Sequence, residues 1–184
     1  GFYGLWDELG AFDNEDGSRT EIVDHEFFTQ FTFEDGETLT LYSDADRLEA
    51  ELLRVGPEDE RRIHRFTRML KKLSGFTHGE TGEDLGAGPR LAMRLSSLAK
   101  LPWIISQART TIGEYASRFS NPRLRTAFSA AIPKDWSAIS LSLGLAMQHS
   151  KCAGSPVGGS LRLARNIERR YRELGGKVRF NASV

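Results

Sequence analysis

The residues of this chain best suited to reaction chemistry are four histidines, one cysteine and a glycine pair. His25, His64, His78 and His149 are scattered, with no i, i+4 pairing and no HExxH arrangement, so a metal centre is not expected. Cys152 has neither a disulfide partner nor a metal-spaced neighbour, and reads as a small buried hydrophobe in a reducing compartment. No serine sits in a GxSxG elbow, and no phosphate-cradling GxGxxG or GxxxxGK is present. What remains is Gly158-Gly159-Ser160, where two glycines allow close backbone approach or positive φ and Ser160 is suited to cap the helix that follows. By itself the pair is a weak sign of nucleotide contact. Residue types and spacing alone therefore describe a helical domain with an apolar interior and no reaction of its own.

The elements that would position such residues follow from periodicity. Phe27, Phe31 and Phe33 alternate, Asp35-Gly36 is a two-residue hairpin turn, and Thr38 to Tyr42 resumes the β pattern. That turn predicts Phe33 opposite Thr38, Phe31 opposite Thr40 and Thr29 opposite Tyr42, giving an aromatic face that serves as core or as the wall of an apolar ligand site. Ser43 with Asp46 makes a capping box for a helix that Gly56 ends, and Pro57-Glu58-Asp59 opens another with Ile63, Phe66, Leu70 and Leu73 on its buried face. Residues 74–88 are glycine-rich and read as an excursion, and a helix restarts at Pro89. Thr111 with Glu114 is a second capping box, Asn121-Pro122 starts a further helix, and the stretch after Pro133 is apolar or small on nearly every side. Leu161, Ala164, Ile167, Tyr171 and Leu174 mark a helix that Gly175 closes, and Lys177 to Val184 reads as a strand whose ladder is left open, as though a longer chain had been cut. The expected fold is α+β, mostly helical with a small antiparallel sheet: residues 1–155 form one domain, with the hairpin at about 22–42 and helices at about 43–150, and residues 156–184 form a helix and strand.

Composition bounds the function. A 184-residue chain with 39% hydrophobic residues can bury a real core, which excludes disorder. The zero net charge hides a division: residues 1–60 carry 18 acidic and 3 basic groups, and residues 61–184 carry 7 and 22. Such halves attract each other or face different partners. Arg90, Arg94, Lys100 and Arg109 lie with no acid in the segment 89–109, which also holds Trp103. That is the pattern of an interfacial helix on an anionic membrane, and equally of a basic helix packed on the acidic third. No run approaches the length of a membrane-spanning helix, and the residues from Gly1 onward show no charged segment followed by an apolar one. A cytoplasmic protein with peripheral contact at the inner membrane face is the expectation. Nucleic acid is not expected, because no aromatics interleave with the basic runs. Nothing in the sequence sets an oligomeric state.

A set of short motifs adds a family likeness. Trp6 to Ala11 (WDELGA), the hairpin with Leu39 to Asp44 (LTLYSD), Gly56 to Glu60 (GPEDE), Ser120 to Arg125 (SNPRLR), Ala146 to His149 (AMQH), and Ala153 to Leu161 (AGSPVGGSL) ending in LGGKVRFNASV together resemble the phytoene desaturase and carotenoid isomerase family of flavin-dependent oxidoreductases. The likeness runs in order over nearly the whole chain. It implies the substrate-binding part of a two-domain FAD enzyme, lacking the N-terminal dinucleotide-binding motif and inactive alone, that acts by hydride transfer on C–C bonds of a long apolar, carotenoid- or retinoid-like molecule. The resemblance implies Gly158, Gly159, Ser160 and Val184 as cofactor-proximal positions, and Phe27, Phe31, Phe33 and Tyr42 as tunnel positions. It assigns no acid, base or nucleophile. The rival reading is a non-enzymatic module that binds an apolar ligand or a membrane surface.

Overall fold

The computed structural model describes residues 2–77, 102, 105, 106 and 108–182. In chain order the elements are α1 (Phe2–Glu8), β1 (Ile22–Val23), β2 (Phe27–Thr32), β3 (Thr38–Tyr42), α2 (Ala45–Val55), a 3-10 turn (Pro57–Asp59), α3 (Glu60–Thr77), α4 (Ile112–Ala116), α5 (Pro122–Ala131), α6 (Ala138–His149), β4 (Ser155–Pro156) and α7 (Ser160–Glu173). The fold is α+β and mostly helical, with two antiparallel two-stranded sheets, β1–β4 and β2–β3.

Apolar side chains collect in two clusters. The larger joins Leu39 and Leu41 of β3, Leu48 and Leu52 of α2, Ile63, Phe66 and Leu70 of α3, Leu124 and Phe128 of α5, and Leu141 and Leu145 of α6. Phe119 stacks on Phe128 at 4.6 Å between ring centroids, a separation at which aromatic pairs stabilise beyond their buried area. The smaller cluster is built from the two ends of the described chain: Ala11, Phe12 and Leu163, with Tyr3, Trp6, Ile22 and Ile167 against them. The boundary expected at 155/156 falls inside β4, whose partner β1 lies near the other end of the chain.

The hairpin forms, in a register one residue away from expectation. Phe31 faces Leu39, Gln30 faces Thr40 and Thr29 faces Leu41, with an irregularity before Phe27 meets Tyr42. The cause is the turn: Phe33 N donates to Glu37 O, so the loop is Glu34-Asp35-Gly36, three residues long, and Gly36 takes the left-handed conformation at φ +82° that such a loop needs. A single-residue slip changes every cross-strand pair, and here it places the leucines of β3 in the core. The outer edge of β3 is closed by α2, where Thr40 N donates to Glu51 and Arg54 donates to Thr38 O.

Two caps differ from expectation. Asp44, not Ser43, caps α2, accepting from Asp46 N and Arg47 N, because the Ser43 hydroxyl is engaged with Gln148. Gly159, not Ser160, is the cap of α7, and Ser160 is its first helical residue. The Thr111–Glu114 capping box forms with both of its hydrogen bonds, and Asn121 caps α5. Beyond Gly175, at φ +87°, residues 177–182 form no strand. No described strand pairs with them, and a single β segment has no local hydrogen bonds to hold it. Ser183 and Val184, the glycine-rich excursion from residue 78 and most of the expected interfacial segment 89–109 lie outside the described residues.

Candidate functional site

The short motifs that stand far apart in sequence meet in pairs. The first junction joins residues 55–60 to 120–124. The buried Asp59 carboxylate accepts from Ser120 N at 2.9 Å and Asn121 N at 2.8 Å. Asn121 in turn caps α5 with its Oδ1 and donates from Nδ2 to Val55 O at 3.0 Å. Gly56 has no room for a side chain: a Cβ there would lie 2.6 Å from Leu124 Cδ1 and 3.1 Å from Asn121 Cβ.

The second junction joins residues 43–45 to 148–149. Ser43 Oγ donates to Gln148 Oε1, and Ala45 N donates to His149 Nδ1 at 3.1 Å, with Asp44 Oδ2 3.7 Å from the same nitrogen. His149 is thereby occupied as a second cap of α2, which leaves its first-turn N–H groups satisfied.

The third junction joins residues 3–14 to 154–170. Gly154 N donates to the Tyr3 hydroxyl at 2.6 Å, and a Cβ on Gly154 would fall 2.5 Å from Ile22 Cγ2 and 2.8 Å from Val23 O. Burial pushes the Tyr3 hydroxyl above its ordinary pKa. Asn166, 5% exposed on the inner face of α7, donates to Ala11 O at 2.9 Å and to Asn14 Oδ1 at 3.1 Å. An asparagine between Leu163 and Ile167 on an apolar face is the sequence signal that could have marked this contact.

Gly158 and Gly159 lie at the entrance of α7, both left-handed at φ +90° and +82°. A Cβ on Gly158 would press 2.6 Å from Arg162 Nε, whereas Gly159 faces open space. An open cavity of about 480 Å³ is lined by Gly158, Leu161, Arg162, Arg165 and Asn166 on one side and the acidic loop Asn14-Glu15-Asp16 on the other. In the sequence Arg162 and Arg165 read only as part of a basic run, on the sides of an amphipathic helix away from its apolar face. The structure therefore brings Gly158, Gly159 and Ser160 together, and Val184 lies outside the described residues.

The four aromatic positions do not share one environment. Phe31, Phe33 and Tyr42 are half-buried against the larger cluster, whereas Phe27 is 44% exposed. Arg123 lies over the Phe33 ring at 5.6 Å and Arg47 over Tyr42 at 4.2 Å. Phe27 is separated from the others by the irregularity in β2, which turns its side chain off the aromatic face.

His25 and His64 are also engaged within the fold, and His78 lies outside the described residues. His25 Nε2 meets Ser155 Oγ at 2.7 Å, and His64 lies between Glu49 at 3.3 Å and Glu60 at 3.4 Å. Burial raises the Glu49 carboxyl, but bonds from Thr67 and His64 outweigh it and hold it below the ordinary value. Among the described residues no group of three His, Cys, Asp or Glu could hold a metal ion, and no helix is long and apolar enough to cross a membrane. Cys152 is half-buried, with Sγ 3.3 Å from Met147 O. No protein-family model matches the chain, and no curated protein is similar to it.

Proposed function

We propose that this chain is the substrate-side part of an FAD-dependent oxidoreductase that transfers hydride to or from C–C bonds of a long apolar substrate, with peripheral contact at an anionic membrane. The observation that carries the reading is the Gly158–Gly159 turn, left-handed at both residues and opening a 14-residue helix beside a cavity that holds Arg162 and Arg165. A backbone free of side chains at a helix N-terminus lets a large anionic cofactor approach closely. Gly159 and Ser160 fit that role, because nothing stands within 4 Å of a Cβ at Gly159. The close neighbour of Gly158 is its own Arg162. In such an enzyme the flavin supplies the redox chemistry, and the protein supplies placement and exclusion of water.

Exposed apolar side chains at the two ends of α7 support the same reading. Val157 and Leu161, next to the turn, are 45% and 60% exposed, and Leu174 and Phe180, at the far end of the helix, are 72% and 69% exposed. Large apolar side chains left in water along one helix are the composition of a docking seam. The half-buried Phe31, Phe33 and Tyr42 would then back the substrate corridor from the core side.

The test is anaerobic. The product of the complete reading frame, carrying its flavin, is mixed with a long polyene, and the oxidised flavin absorbance is followed. Bleaching by the polyene and not by a short alkene supports the proposal; an unchanged spectrum with every long apolar substrate, in either redox direction, refutes it.

A further inference from the structure

The two sides of α3 are treated differently by the rest of the molecule. Toward α2, Lys71 pairs with Asp46, and His64 lies between Glu49 and Glu60. The other side carries Arg61, Arg65 and Arg68, all exposed and without a hydrogen bond or ion pair among the described residues. At about 100° per residue these three fall within an arc of roughly 60° and along roughly 10 Å of helix, so they form a ridge.

The cationic character continues past the ridge. Arg62 lies over the Phe119 ring at 5.7 Å, and its Nε is buried without a partner. Arg62, Arg65 and Arg118 all bear electrostatically on the buried Tyr115 hydroxyl, which places them in one neighbourhood. Arg118 also reaches Thr110 Oγ1 at 3.4 Å; the exposed Arg109 directly precedes Thr110, and the exposed Ile105 lies four residues before Arg109. No acidic side chain pairs with any of these arginines among the described residues.

We infer that the Arg61–Arg65–Arg68 ridge is the surface by which this chain docks on an anionic phospholipid layer. The inference rests on the peripheral-membrane part of the proposed function and is independent of its redox part. Unpaired arginines gain most from a surface of fixed negative charge, where each lies within a screening length of several headgroups. Nucleic acid is the less favoured anion, because base stacking needs exposed rings and the aromatics on this side, Phe66, Tyr115 and Phe119, are buried at 2%, 8% and 2% exposure. An exposed isoleucine beside cations belongs instead to the headgroup boundary of a bilayer.

The experiment is co-flotation of the 184-residue chain with vesicles of phosphatidylcholine alone or mixed with phosphatidylglycerol, at low and high salt. The chain should float only with the mixed vesicles and be released by salt. The triple variant R61Q/R65Q/R68Q should bind them roughly 100-fold more weakly, while R162Q/R165Q, which removes charge from α7, should bind as the parent does. All substitutions are at exposed positions, and circular dichroism confirms the fold. Equal flotation of the ridge variant overturns the ridge and leaves membrane contact to another face. Absence of flotation with any vesicle overturns the ridge and the membrane contact together, with the flavin proposal still to be judged on its own spectrum. Ridge-dependent binding to duplex DNA in preference to vesicles, or a ridge-dependent dimer in solution, overturns the lipid assignment.

Discussion

Asp59 offers the sharpest test of how the motifs hold this fold together. Its carboxylate is 6% exposed and is the acceptor for two backbone N–H groups, Ser120 and Asn121, sixty-one and sixty-two residues further along the chain. Asp59→Ala would strand both donors where little water reaches them. A hydrogen bond to a charged group contributes about 1.5–3 kcal/mol, so the loss of two should cost about 3–6 kcal/mol. For a chain of this size that is a fall in melting temperature of about 10 °C. Asn121→Ala removes the cap of α5 and the bond to Val55 O, at about 1–2 kcal/mol. Asn121 keeps its backbone N–H in that variant, so the two substitutions share a junction but not every bond. Urea unfolding of parent, both single variants and the double variant gives the cycle, which should show a coupling of about 1 kcal/mol or more. The reasoning is refuted if Asp59→Ala unfolds within about 1 kcal/mol of the parent, a change of the size ordinary surface substitutions produce.

Two further outcomes follow from the same geometry. Gly154→Ala should push β4 off β1, because its Cβ would fall 2.8 Å from the Val23 carbonyl oxygen, a backbone atom that cannot swing away; limited proteolysis should then cut residues 1–24 sooner than in the parent, and an unchanged cleavage pattern would contradict it. The Glu51 carboxyl is held below its ordinary value, first by its hydrogen bond with Arg54, against the opposing effect of burial and with help from Thr40 N. A depressed folded value means stability that is complete above the unfolded value of about 4.3 and is lost as pH falls through the folded one. Thermal melts between pH 6 and about pH 3 should therefore fall less steeply for Glu51→Gln than for the parent, and parallel curves would refute the assignment.

How much of this was legible in the sequence depends on the range of the interaction. The Thr111–Glu114 box, the Asn121-Pro122 start and the Gly175 stop were readable because donor and acceptor lie within one helical turn. The hairpin was readable as a hairpin but not in register: Asp35-Gly36 fits a two-residue turn, and only the geometry of Phe33 and Glu37 reveals that Glu34 belongs to the loop. Ser43 and Asp44 are both competent caps. The choice between them is made by Gln148, more than a hundred residues away. Lys177 to Ala182 has the alternation of a strand, yet a strand exists only where an edge can receive it.

The candidate site was legible in part for the same reason. Gly158 and Gly159 announce positive φ locally, and both adopt it. That Gly158 would be spent on Arg162 and Gly159 left open depends on rotamers no pattern encodes. The aromatic positions were grouped by alternation, and the irregularity in β2 removed Phe27 from the group. The Asp59–Asn121 contact joins Gly56 to Glu60 with Ser120 to Arg125, and nothing local to either motif names the other.

The proposal that this chain works against a flavin is decided by the visible absorption spectrum of the purified product of the complete reading frame, before and after denaturation to release any bound cofactor. A yellow protein that releases FAD in near-stoichiometric amount is the expected result, with a lower content in a Gly159→Ala variant. A colourless, well-folded product that takes up no added FAD would contradict it.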